Sequence, residues 1–297
     1  MRRSAFAAYH PFVNFVYFAA VLAFCMLWMH PVFQAISLLG AVVNAVLLNG
    51  RRAIRFQLRF MLPLFVIMAA ANPMFSHAGV TILFYMKDGN PVTLESILYG
   101  AAASAMYVTV IVWFSCYNAV MTSDKFMYLF GRIMPALSLI FAMVLRFVPR
   151  YMHQLKVISD AQACIGRDYR QGGWIRRARN GIRMLSIMTT WALENAIETA
   201  DSMKSRGYGL PNRTSFSIFR FDRRDRRLSA CMAGLLLVLV LGAASGANAI
   251  RYFPSVHVQA MTAFSVLVYA AYLTLCLLPA LIQTWEDWKW KSIRSRN

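Results

Sequence analysis

The residues best placed for chemistry between molecules are Ser205, Arg206 and Gly207, in the stretch ADSMKSRGYG at 200–209. A guanidinium presents its donors in a fixed fork that suits bidentate pairing with a carboxylate. A glycine directly after it is the residue that most readily ends a helix in the left-handed conformation. The pattern is a cation carried on a helix end. It has two uses: to face the negative end of its own helix dipole, worth a fraction of a kcal/mol, or to plug into an acidic socket on another protein. A second stretch, SDAQACIGRD at 159–168, also has small residues one turn back, a polar surface and a glycine at the stop.

Other chemistry is missing from the sequence. No GxxxxGK[ST] motif occurs, which argues against ATP binding through a P-loop. HExxH, GxSxG and paired carboxylates inside apolar runs are absent as well. Ion-coupled transporters and proton relays place ionisable groups near the bilayer centre, and the apolar runs carry none there. His10, His30, His77, His153 and His257 are scattered along the chain, so no metal site is expected. The cysteines Cys25, Cys116, Cys164, Cys231 and Cys276 form neither a CxxC pattern nor a disulfide framework, and read as small buried hydrophobes. No catalytic residue and no cofactor are expected. The chain reads as a part that works with partners.

The elements carrying those helix ends belong to a membrane protein. Of 297 residues, 59% are hydrophobic, and several uncharged apolar runs are long enough to cross a hydrocarbon core about 30 Å thick. Membrane segments are expected near 12–29, 31–49, 60–76, 97–117, 228–247 and 261–282. Arg2-Arg3 ahead of the first run mimics a signal peptide, but no small-x-small cleavage site follows, so that run is expected to stay as a membrane helix. With the N-terminus inside, 29 of the 31 lysines and arginines fall on one side, and only Lys87 and Arg251 on the other. Loop 51–59 and the two tails agree on this without the central region. The positive-inside rule makes that side cytoplasmic and gives a multi-pass protein with both termini in the cytoplasm. The net charge of +19 thus has a membrane explanation, and nucleic acid is not an expected partner. The tail WEDWKWKSIRSRN suits an interfacial anchor.

Outside, residues 77–96 read as a short hairpin turning at KDGNP, and Asn72-Pro73 is expected to end or kink the third helix. Inside, residues 118–227 hold nineteen basic and eight acidic residues. A long helix is expected from about Ala136 to Cys164, with a break at Gly166 and a turn at Gly172-Gly173. A second runs from about Trp174 to Arg206, followed by coil around Pro211. Along this second helix Leu185, Met188, Ala192, Ala196, Thr199 and Met203 form an apolar, small-residue stripe. Glu194, Glu198, Asp201 and Ser205 form another face. The basic run Arg176, Arg177, Arg179, Arg183 fits lipid headgroups or ordinary solvation better than a specific partner.

These residues together resemble a known family, the transmembrane T components of energy-coupling factor (ECF) transporters. MKSRGYG is similar to the second of the family's two Ala-Arg-Gly-type motifs, and AQACIGRD occupies the place of the first. LRFVPRYMHQLKVISDAQ, MTSDKFMYLFGRIMPALSLIFAMVLRF and YHPFVNF add to the resemblance, which covers most of the chain. It implies an all-α integral membrane protein of about six membrane-embedded helices, with long cytoplasmic coupling helices inserted before the last two. The divisions expected are 1–135, N-terminal membrane helices; 136–227, the coupling-helix region; and 228–297, a final helix pair with a basic tail. It implies a non-catalytic subunit of an importer in a prokaryotic plasma membrane. Two ABC ATPases would hydrolyse ATP, and a membrane S component would capture a vitamin or metal ion. Docking to the ATPases would fall to Ser205, Arg206 and Gly207, and to Cys164, Ile165, Gly166 and Arg167. Here the sequence departs from the family, since Ile165 stands where an arginine is expected. Ala192, Ala196, Thr199 and Met203 are candidates for contact with the S component or for packing between the two helices. The competing reading is a conventional ABC permease with its own substrate path, of whose EAA…G loop WALENAIETADSMKSRG is a distant echo.

Overall fold

The computed structural model describes residues 4–76, 78–85, 90–131, 133–168, 170–208, 210, 219–246, 249–259 and 261–294. His77, Lys87, most of the KDGNP turn and the coil around Pro211 lie outside the described residues. After a 3₁₀ turn at Phe6–Ala8 come α1 (Pro11–Leu27), α2 (Pro31–Asn49), α3 (Arg51–Phe56), a π turn at Gln57–Met61 and α4 (Leu62–Phe75). A hairpin of β1 (Ile82–Tyr85) and β2 (Pro91–Thr93) leads to α5 (Leu94–Val120) and α6 (Ser123–Gly131). Then follow α7 (Pro135–Cys164), α8 (Trp174–Ser205), α9 (Arg223–Ala244), β3 (Ile250–Arg251), β4 (His257–Val258) and α10 (Ala263–Arg294). Among the described residues the fold is all-α apart from the two small hairpins.

Among the described residues, six helical rods are long and apolar enough to cross a membrane: α2, the continuous Arg51–Phe75, α5, α7, α9 and α10. The protein is therefore a multi-pass membrane protein. The spans differ in detail from the sequence expectation. The first apolar run forms α1, which at 17 residues is shorter than the six spans, about 26 Å at 1.5 Å per residue. The stretch 51–59, expected as a loop, is helical and continues into α4 through the π turn. Arginine is a good helix former, and the break falls instead at Gly50, whose φ of +60° suits a glycine. Pro73 does not end α4 at once, because the helix runs on to Phe75. The expected outer hairpin is present, with Ile82 opposite Thr93 and Tyr85 opposite Pro91.

The chain divides into two compact units, Met1–Phe126 with Phe219–Asn297, and Met127–Ile218. The first unit is a bundle around the aromatic residues Phe6, Tyr17, Phe18, Phe33, Trp113 and Tyr272. Several polar groups face its interior and are paired there, as helices in lipid favour, although the buried Tyr272 hydroxyl has no hydrogen-bond partner among the described residues. Trp113 Nε1 donates to Ser37 Oγ at 3.0 Å. Gln34 Nε2 donates to the carbonyls of Cys25 and Trp28, each at 2.8 Å, and so closes the end of α1. At the α2–α10 contact Gly40 lies so close to Cys276 that a Cβ on it would meet Cys276 Cβ at 2.7 Å. There Asn44 Nδ2 and the Tyr17 hydroxyl donate to the Cys276 carbonyl at 2.9 and 3.2 Å. Pro279, inside α10, cannot donate to the carbonyl four residues back, and this cross-helix bonding sits one residue from that gap.

Two histidines left without a role in the sequence reading are helix caps. His10 and His30 each precede a proline at the first helical position. Their Nδ1 atoms accept from Phe12 N at 3.2 Å and from Val32 N at 3.3 Å. A cap of this kind needs a neutral imidazole, and burial lowers the pKa of His10. Three cysteines are buried as expected, but Cys164 and Cys231 are exposed.

The N-terminal turn fastens both ends of the second unit's connection. Just before that unit, the buried Lys125 donates through Nζ to the carbonyls of Ala7 and Val120. The Asn14 amide, turned to satisfy its neighbours, accepts from the same nitrogen at 3.0 Å. Just after it, the buried Asp225 accepts from His10 N and from Asp222 N, both at 3.0 Å, the second bond completing a capping box at the start of α9. Arg224 lies 4.2 Å from the centre of the Tyr9 ring and pairs with Glu286 at 3.1 Å. Ala5 N donates to Gln283 Oε1 at 2.7 Å.

Burial pushes the pKa of Lys125 down to about 8, whereas an unfolded lysine titrates at about 10.4. Between these values the unfolded chain binds more protons, so stability rises with pH across roughly 8 to 10. Lys125→Met is expected to flatten that rise relative to the parent in thermal unfolding of the detergent-solubilised protein. Equal slopes in both proteins would show that the ammonium is not held as described.

Candidate functional site

The second unit is built from two long helices, both expected from the sequence. Helix α7 has 30 residues and α8 has 32, so each is about 45–48 Å long at 1.5 Å per residue. Proline opens α7, where its missing N–H costs nothing. Gly173 sits at the N-cap of α8, after Gly172 at φ +94°. The two helices pack on each other, and Ile158 and Ser159 of α7 and Asn180 and Met184 of α8 are buried. Trp191 meets Tyr151 edge-on at 5.4 Å, and the Arg150 guanidinium lies 5.6 Å from its ring centre.

Both helices end in the same way. In α8, Gly207 N donates to Lys204 O at 3.0 Å and Tyr208 N to Met203 O at 3.1 Å. In α7, Gly166 N donates to Ala163 O and Arg167 N to Gln162 O, both at 3.0 Å. These are the paired bonds of the Schellman motif, which requires a left-handed residue after the cap. Gly207 and Gly166 supply it at φ +74° and +71°. The cap residues also match: Arg206 at φ −83°, ψ 7° and Ile165 at φ −96°, ψ 21°. Arg206 and Ile165 therefore hold equivalent positions, and Arg167 corresponds to Tyr208.

The side chains at these ends point different chemistry outward. Arg206 is exposed and has no ion-pair partner among the described residues. Ser205 turns its hydroxyl back on Ser202 O at 2.8 Å, so its donor is spent on the helix. Ile165 is 59% exposed, an apolar tip where the other helix has a cation. Cys164, Gly166 and Arg167 are exposed beside it.

The expected stripe on α8 divides. Met188, Ala192, Thr199 and Met203 are half-buried, but Leu185 and Ala196 are exposed. The residues that continue the inward face are Met184, Trp191 and Asn195. Ile182, Leu185, Leu193 and Ile197 form a second apolar face, each between 62% and 69% exposed. Thr199 Oγ1 donates to Asn195 O at 2.6 Å, which leaves a methyl-bearing surface. The sequence reading also passed over Trp174, 79% exposed at the start of α8. Among the described residues no group of three or more His, Cys, Asp or Glu is placed to hold a metal ion.

Comparisons with known proteins agree with these features. The family described as "CbiQ: Cobalt transport protein" matches residues 10–216. The energy-coupling factor transporter transmembrane protein EcfT of Leuconostoc gelidum subsp. gasicomitatum is 32% identical over 103 residues, 34% of this chain and 38% of that protein. Its counterpart in Lactobacillus helveticus is 33% identical over 106 residues, 34% of this chain and 38% of that protein. In Lacticaseibacillus paracasei the figures are 35% over 107 residues, 35% and 40%. The chain thus spans about two fifths of the length of these curated relatives.

Proposed function

We propose, from the premise that this chain belongs to the CbiQ cobalt transport protein family, that it is the coupling subunit of an ECF-type importer. In this reading it performs no catalysis. Separate ABC ATPases bind and hydrolyse ATP in the cytoplasm, and a membrane S component captures a vitamin or metal ion. Helices α7 and α8 carry movement of the ATPases to the S component. The basic side of the chain, with both termini, faces the cytoplasm of a prokaryotic cell.

The observation that carries the reading is the pair of long helices closed by matching Schellman motifs, one of them presenting Arg206. A guanidinium fixed at a rigid helix end is preorganised for a carboxylate in a groove. Ser205 and Gly207 shape that end, and Cys164, Ile165, Gly166 and Arg167 form its counterpart. The apolar face of Ile182, Leu185, Leu193 and Ile197 gives α8 a surface suited to the S component, with Ala196 beside it and Ala192, Thr199 and Met203 at its margin. The family description and the names of the relatives agree with transport.

The test is extraction of tagged chain from its native membrane in mild detergent. ATPase subunits and a small membrane protein are expected to co-purify with it, and the assembly is expected to hydrolyse ATP. Recovery of the intact chain alone, without ATPases, would overturn the assignment.

A further inference from the structure

The turn between α7 and α8 and the start of α8 border an open cavity of about 560 Å³, lined by Gly166, Trp174 and the arginines 167, 176, 179 and 183. Arg176, Arg179 and Arg183 are spaced three and four apart, along one edge of α8. None of these four arginines has an ion-pair partner among the described residues. The wall is fastened: Asn180, 5% exposed, donates through Nδ2 to the carbonyl of Asp168 at 3.1 Å. Asp168 in turn accepts from Arg170 N at 2.8 Å. Trp174 and Ile175 also line it and are 79% and 62% exposed.

We propose that this cavity is an extension of the first docking end, and that it receives an acidic segment of a partner ATPase. The inference rests on the coupling-subunit reading and names the partner chemistry of one of its two ends. Ile165 holds the position that Arg206 holds on α8, so the first end lacks a cation at its cap. The arginines of the cavity supply positive charge beside that cap. Gly166 and Arg167, the first residues past the Ile165 cap of α7, form part of the cavity wall, so a partner gripping the helix end also covers the cavity. Guanidinium groups and exposed tryptophan are the residue types enriched at protein contacts, and arginine pairs bidentately with carboxylates. The second end has the opposite surroundings. Glu194, Glu198 and Asp201 precede Arg206 on α8, whereas the sequence from Cys164 to Arg183 holds six arginines and one acidic residue, Asp168. The first end therefore fits the more acidic socket.

The experiment compares ATPase retention by the wild-type chain with that of three variants in the same detergent and salt. The combined Arg176→Gln, Arg179→Gln, Arg183→Gln variant is expected to retain ATPases at least tenfold more weakly, with a smaller dependence on salt. Adding Ile165→Arg to it is expected to recover part of the loss, which a merely structural role of the three arginines would not allow. Ile165→Arg alone is expected to tighten retention. Wild-type retention by the triple variant would overturn the proposal and leave the coupling reading standing. So would a triple variant that keeps its ATPases but loses preference for nanodiscs containing phosphatidylglycerol, since the arginines would then serve lipid. A wild-type chain that holds no ATPase would overturn the coupling reading itself, and this proposal with it.

Discussion

Arg206→Glu is expected to abolish ATP-driven uptake, by a hundredfold or more, while the protein stays folded in the membrane. Within the chain Arg206 makes no ion pair among the described residues, and it lies at a helix end. Its intramolecular worth is the dipole interaction, a few tenths of a kcal/mol. Stability should therefore barely change. In the assembly, truncating one member of a buried, hydrogen-bonded charge pair costs about 2–5 kcal/mol, and a glutamate adds repulsion against an acidic groove. At about 1.4 kcal/mol per tenfold, that is enough to uncouple the subunits. Radiolabelled cargo uptake in cells, with the chain quantified in membranes, measures it. Ile165→Ala removes only apolar surface at the equivalent position and should lower uptake no more than about threefold. Undiminished uptake by Arg206→Glu would remove Arg206 from docking. A more severe effect of Ile165→Ala than of Arg206→Ala would mean that the first end dominates.

The largest effect on folding is expected for Gly40→Leu. A Cβ at this position would sit 2.7 Å from Cys276 Cβ and 3.4 Å from the Cys276 backbone, so α2 and α10 must separate. Separation also strains the bonds from Asn44 and Tyr17 to the Cys276 carbonyl, each worth about 0.6–2 kcal/mol within a membrane. Overpacking adds about 1–3 kcal/mol. Together these approach the whole stability of many domains. The variant should fail to accumulate, or should unfold on extraction at a much lower temperature. Gly234→Ala on α9 is the control, since nothing lies within 4 Å of a Cβ there and alanine favours helix. Equal behaviour of the two variants would show that the α2–α10 contact is not close-packed.

The limits of α7 and α8 were legible in the sequence because their stops are glycines and a proline opens α7, and those signals act locally. The outer hairpin was legible for the same reason. Stretch 51–59 misled because arginines between apolar runs read as a loop, although arginine is at home in a helix and only Gly50 breaks the rod. The stripe on α8 misled because the helix has apolar residues on two faces. Periodicity finds an apolar face but cannot say which one meets α7; that depended on Trp191 reaching Tyr151 and Arg150. The asymmetry between Arg206 and Ile165 was visible in the motif spacing. Their equivalence as cap residues needed the backbone. The caps at His10 and His30 carry a local signal, a His-Pro pair before an apolar run.

The clasp at the N-terminal turn bears on modularity. Lys125 before residues 127–218, and Arg224 and Asp225 after them, are all fastened to the few residues from Ala7 to His10. The bundle is therefore stitched shut at the seam where the second unit leaves and re-enters, by bonds that belong wholly to the bundle. Along the chain, the second unit is inserted between two points of the bundle that are joined to each other by the bundle's own bonds. A change in the length or charge of residues 127–218 therefore leaves every bond of this clasp in place.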